Sequence, residues 1–114
     1  MELINILKAL SDETRLRILN LLKYGELCVC EIEKLLNLTQ SNASRHLMVL
    51  NKSGIITRTK RQQYVYYSLN EITIKKYSIL KSIFEDMENV QTLKEEYQRL
   101  LKFKEEGKGC HNLD

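Results

Sequence analysis

The chain has 114 residues, of which 43% are apolar and 29% charged, with four glycines, no proline and no tryptophan. These proportions suit one helix-rich globular domain and exclude collagen-like, disordered and long β architectures. No apolar run approaches the ~20 residues that span a bilayer, and no basic-then-apolar segment opens the chain, so a cytoplasmic protein without membrane contact is expected. Three cysteines are too few and too odd in number for a disulfide scaffold, which leaves them as packing residues or reactive thiolates.

The net charge of +3 hides a division along the chain. Between Leu35 and Asn70 there is no acidic residue, whereas Arg45, Lys52, Arg58, Lys60 and Arg61 are all basic. From Ser82 to Glu106 the sign reverses, with Glu85, Asp86, Glu88, Glu95, Glu96, Glu105 and Glu106 outnumbering Lys94, Arg99, Lys102 and Lys104. A basic middle of this kind suits a polyanion such as nucleic acid, although a solvated face has the same composition.

In chain order, Leu3, Ile4, Leu7 and Leu10 describe a short amphipathic helix. Ser11 then offers an N-cap, with Asp12 and Glu13 in the first turn of a second helix that carries Leu16, Ile18, Leu19, Leu21 and Leu22 and ends near Gly25. A third, short helix covers Glu31 to Asn37. A fourth follows, capped by Thr39, with Ala43, Leu47 and Leu50 as its buried stripe and Ser53-Gly54 as its stop. Ile55 to Lys60 and Tyr64 to Leu69 are rich in β-branched and aromatic residues, and read as a β-hairpin whose basic tip is Arg61-Gln-Gln63. From about Asn70 to Lys104 the chain returns to helix, with a possible break around Lys76 to Ser78. Its apolar stripe of Leu80, Ile83, Met87, Val90, Leu93, Tyr97 and Leu100 is either core or a face that pairs with a second copy. Residues 1–106 are expected to form one domain and 107–114 a flexible C-terminal tail.

Two short helices joined by a tight turn, then a basic hairpin, give the order of a winged helix-turn-helix: a mainly α fold with a β-hairpin. The polar cluster at the start of the fourth helix is Thr39, Gln40, Ser41, Asn42, Ser44, Arg45 and His46. Gln and Asn can pair with adenine, Arg with guanine, and Ser or Thr with phosphate. Together with Arg58, Lys60 and Arg61 of the hairpin, these residues are the expected contacts to double-stranded DNA. His46 has no plausible nucleophile and base partner set and there is no glycine-rich phosphate loop, so an enzyme is not expected.

Leu10-Ser-Asp-Glu-Thr-Arg-Leu-Arg-Ile-Leu19, Glu26-Leu-Cys-Val-Cys-Glu-Ile32, Gln40-Ser-Asn-Ala-Ser-Arg-His-Leu47 and Tyr64-Val-Tyr-Tyr-Ser-Leu69 together resemble the ArsR family of metal- and metalloid-responsive repressors. The middle segment looks like the thiolate box of that family's arsenic, antimony, cadmium and lead sensors. The resemblance implies a homodimer, formed through the first and last helices, that leaves its operator when an inducer binds. No obligatory cofactor is implied. Arsenite or antimonite is the expected inducer, with cadmium or lead as variants. The family's arsenite pattern often has a third cysteine shortly after the pair, where this chain has Glu33.

The chemistry can be argued from the residues as well. Side chains two apart on a helix diverge by about 200°. Cys28 and Cys30 can therefore share a soft ion only if the first turn of their helix is non-helical or unwinds. Such a distortion would displace the next helix. Cys110, in the glycine-flanked tail Gly107-Lys-Gly-Cys-His-Asn112, is the one remaining thiol: it is either a third ligand, from the same or the other subunit, or a bystander. His111 is expected to be exposed, with an auxiliary ligand role as the lesser reading. Residues 70 to 106 contain no histidine, which argues against a zinc- or nickel-type site there. Two other readings stay open: a redox or persulfide sensor linking Cys110 to Cys28 or Cys30, and a protein-interaction module using the acidic terminal helix.

Overall fold

The computed structural model describes residues 1–110 and 112; His111 lies outside the described residues. Among those residues the elements run α1 (Glu2–Leu10), α2 (Glu13–Leu22), β1 (Leu27–Cys28), α3 (Val29–Leu36), α4 (Gln40–Ser53), β2 (Ile56–Arg61), β3 (Tyr64–Leu69), α5 (Glu71–Lys76), α6 (Ser78–Met87) and α7 (Gln91–Glu105). The chain is mainly helical with one small antiparallel sheet, as its patterning predicts. No described helix is long and apolar enough to cross a membrane.

Local chemistry explains where the elements begin and end. The N-cap of α2 is Asp12 rather than Ser11: its carboxylate accepts from the Arg15 amide at 3.0 Å, while the Ser11 hydroxyl turns back to the Lys8 carbonyl at the end of α1. A carboxylate is the stronger acceptor at a helix N-terminus, because the dipole favours its charge. Thr39 caps α4 as expected, accepting from the Asn42 amide at 3.2 Å, and Gly54 ends that helix in the left-handed conformation at φ 86°. Ala43, Leu47 and Leu50 are buried, and so is His46. Those four positions are one continuous helical stripe.

The hairpin pairs Ile56 with Leu69 through Arg61 with Tyr64, leaving a two-residue turn in which Gln62 takes a positive φ of 57°. The sequence patterning does not reveal β1, because two residues are too short to show a period. It pairs antiparallel to β3, Leu27 with Tyr67 and Cys28 with Tyr66, so the sheet order is β1-β3-β2.

The terminal helical region breaks twice: at Tyr77, and again at Glu88 to Val90, where Asn89 and β-branched Val90 are weak helix formers. Its stripe therefore does not stay on one straight face. Leu80, Met87, Leu93 and Leu100 are buried, whereas Val90 is exposed at the bend. Helix α7 folds back on α2 and α3 of its own chain. Arg17 fixes that packing: its guanidinium donates to both Glu96 carboxylate oxygens, the closest contact being 2.6 Å, and reaches the Leu36 carbonyl at the end of α3. Asn20 adds a buried hydrogen bond to the Leu93 carbonyl at 2.8 Å.

Candidate nucleic-acid interface and thiol site

Most of the polar side chains expected to meet DNA share one surface. Thr39, Gln40, Ser41, Ser44 and Arg45 are exposed along the first half of α4, and Asn42, half-buried, accepts from Arg45 Nη2 at 2.8 Å. On β2, side chains alternate between faces, so Arg58 and Lys60 share one face and Arg61 takes the other. Arg58 lines a groove of about 360 Å³ with Gln40 and Ser44 of α4, between recognition helix and hairpin.

Two expected contacts stand apart from that surface. His46 is 4% exposed, with Nδ1 3.2 Å from Arg15 Nη1 and 3.6 Å from the Asp12 carboxylate, and Nε2 3.3 Å from Arg45 Nη2. It faces the start of α2 and cannot reach a base edge, because it occupies the i+3 place of the Ala43 stripe. Burial, helped by Arg45 and Arg15 and opposed by Asp12, keeps its pKa below the ordinary imidazole value. Arg61 is exposed but engaged: the Glu26 carboxylate accepts from both its terminal nitrogens, at 2.5 and 3.1 Å, and its guanidinium lies 3.9 Å from the centre of the Tyr66 ring.

The thiols converge. Cys28 is not part of the helix; it is the extended residue preceding it, with φ −86° and ψ 158°, and α3 starts at Val29, two residues earlier than the patterning indicates. The divergence of side chains two apart on a helix therefore does not apply, and no unwinding is needed to bring Cys28 and Cys30 together. Glu31, at the third helical position, accepts from the Cys28 amide at 2.9 Å, the glutamate half of a capping box. Gly107, at φ 75°, turns the chain after α7, and Cys110 arrives beside the pair from the same chain, its Cα 6.5 Å from that of Cys28 and 5.9 Å from that of Cys30.

The three Sγ atoms lie within 4.8 Å of one another. One sulfur forms one disulfide only, so Cys110 cannot bridge both partners at once. The cluster is chemically a three-thiol site, or one of two alternative disulfides with a thiol left over. As a donor set it is all sulfur, which suits soft, thiophilic ions and not hard oxygen-seeking ones. Cys28 and Cys30 also line the groove that holds Gln40, Ser44 and Arg58, as does Glu33. Thiols and recognition helix thus share one cleft.

A short helix pair, a second, polar helix and a flanking hairpin define a winged helix-turn-helix. The model of the bacterial regulatory protein arsR family matches residues 12–58. Over 91 residues the chain is 35% identical to an arsenical resistance operon repressor of Staphylococcus aureus, an alignment covering 80% of this chain and 82% of that protein. The chain belongs to the ArsR family. A cadmium resistance transcriptional regulatory protein CadC homolog of S. aureus is 40% identical over 76 residues, which cover 66% of this chain and 63% of that longer protein. Among solved structures, HlyU from Vibrio cholerae superposes with a TM-score of 0.65 at 32% identity, covering 78% of this chain and 90% of that one.

Proposed function

We propose that this protein is a homodimeric repressor that binds double-stranded operator DNA and is released when trivalent arsenic or antimony binds the thiolates of Cys28, Cys30 and Cys110. The observation that carries the reading is the convergence of three sulfurs, two of them on Cys28 and Cys30, which line the cleft between recognition helix and hairpin. Gln40, Ser41, Ser44 and Arg45 read or position the DNA from α4, with Thr39 and Asn42 at its start and Arg58 and Lys60 on the phosphates. Pulling three sulfurs around one pyramidal centre shifts Cys28, and with it β1 and the start of α3. Because β1 is hydrogen-bonded to β3 and α3 packs on α4, the hairpin and the recognition helix are then displaced together.

Dimerisation is supported by apolar side chains that the chain leaves partly open. Leu3, Ile4 and Leu7 of α1 and Ile79 of α6 are exposed apolar residues, while α7 spends most of its stripe on α2 and α3. Two recognition helices one DNA turn apart need two copies. A cytoplasmic location accords with thiols that must stay reduced.

Arsenite titrated into a fluorescently labelled operator complex tests the switch. Wild-type protein should release DNA and Cys28→Ser should hold it; equal release by both would overturn the reading. Cadmium and lead belong in the same titration, since the CadC homolog is among the relatives. A redox or persulfide sensor is the second reading, favoured by Cα separations within the range that disulfides span and by the relative solved as reduced HlyU. Peptide mass spectrometry after mild peroxide would show a Cys110 link under that reading, together with loss of operator binding.

A further inference from the structure

The Glu31 carboxylate sits where three separate stretches of chain meet. It is 3% exposed, and its two oxygens divide the work. One accepts from the Cys28 amide at 2.9 Å; the other pairs with Lys104 Nζ, near the end of α7. That second oxygen also lies 3.7 Å from where a side chain on Gly109 would begin, so the backbone next to Cys110 passes directly over it. Lys104 is itself largely shielded, with the Tyr24 ring centre 5.9 Å from its ammonium. Beyond it, the Gly107 and Lys108 amides return to the Lys104 and Phe103 carbonyls, and Gly109 and Asn112 exchange backbone hydrogen bonds around Cys110. From Lys104 to the sulfur the path is a sequence of tight turns. Fixing Lys104 therefore fixes Cys110.

We propose that Glu31 and Lys104 are the positioning pair of the thiol site: their buried ion pair docks the end of α7 on the start of α3 and so delivers Cys110 to Cys28 and Cys30 within one chain. This rests on the reading that the three thiols act together, and it assigns the assembly of the site to two residues that bind no ligand themselves. A buried carboxylate left without its cation is strongly unfavourable, so removing Lys104 should release the tail rather than leave it docked with an unpaired charge.

The test uses the full-length, reduced protein and dibromobimane, which joins two nearby thiols as each thiolate displaces one bromide; the linked peptides are identified by mass spectrometry. In wild type, Cys110 should be linked to Cys28 or Cys30. Lys104→Met should lower the yield of that link by about tenfold or more, and Lys104→Arg, which keeps the cation, should restore most of it. Glu31→Gln, which retains an acceptor for the Cys28 amide, provides a second approach, and the double variant should lose no more than either single one. Far-UV circular dichroism establishes that each variant is folded. Undiminished linkage in both Lys104→Met and Glu31→Gln would overturn the proposal, as would equal loss in Lys104→Met and Lys104→Arg. X-ray absorption with arsenite alone separates it from the inducer reading. Three sulfur ligands in wild type and two in Lys104→Met support both. A wild type that binds no arsenite, with the linkage pattern intact, sinks the inducer reading and leaves the positioning pair standing.

Discussion

Glu26 holds Arg61 at the tip of the hairpin, carboxylate to guanidinium at 2.5 and 3.1 Å, two residues before the first thiol of the cluster. The same pairing keeps the Glu26 carboxyl below the usual carboxylate range. The basic side chain that ends β2 is thus neutralised within the chain. Glu26→Gln should release it. The expected outcome is tighter operator binding and a log affinity that falls more steeply with log salt, by about 0.9, the increment for one added phosphate contact. Fluorescence anisotropy across a salt series measures both, and an unchanged slope would show that Arg61 makes no phosphate contact.

Acid should weaken the fold through His46. Its pKa is lowered by burial, so the native ring resists a proton that the unfolded chain accepts from about pH 6.5 downwards. The unfolded state then binds more protons, and stability is complete above that pH and is lost as the pH falls toward the lower native value. Urea midpoints measured between pH 5 and 8 for wild type and His46→Gln should diverge only in the acid half of that range. Parallel curves would mean that the ring titrates normally.

The Arg17–Glu96 pair should matter more for folding than any exposed ion pair. Glu96 is nearly enclosed while Arg17 is partly open, so Arg17→Met leaves the carboxylate with only the exposed Arg99 guanidinium, 3.7 Å away, and should cost about 2 kcal/mol, below the cost for a fully buried pair. Arg17→Met combined with Glu96→Leu should recover part of that loss. Denaturant unfolding reads both values.

Gln62 adopts φ 57° in the two-residue hairpin turn, a conformation that costs an L residue about 1 kcal/mol relative to glycine. Gln62→Gly should stabilise the hairpin by about that amount. The shift in thermal midpoint checks it, and a fall would indicate that the Gln62 side chain makes a contact outweighing its backbone strain.

The recognition helix was legible because its cap, stripe and stop are local: Thr39, Ala43, Leu47, Leu50 and Gly54 each act within a turn or two of chain. The burial of His46 was legible as well, since 43, 46, 47 and 50 complete one helical stripe, but polarity assigned it to the DNA face instead. Strand β1 was not, because its two residues are defined by pairing with Tyr66 and Tyr67 far along the chain. The extended backbone of Cys28 follows from that pairing, and so the ability of Cys28 and Cys30 to converge depended on a contact no spacing rule contains. Helix α7 and Cys110 are a similar case: Arg17–Glu96 and Glu31–Lys104 each join residues more than 70 positions apart. Such ion pairs leave no period in the sequence.

The position of Cys110 has a mechanical consequence. Any bond, metalloid or disulfide, that joins it to Cys28 spans 82 positions and ties the first third of the chain to its end. A tether of that length restricts the unfolded ensemble by an amount worth about 4 to 5 kcal/mol, if the native geometry accepts it without strain. The repressor that has let go of its operator would then be the more heat-resistant species. Signal and stability would be joined in one molecule, since a thiophilic inducer held by these thiols would also be the tether.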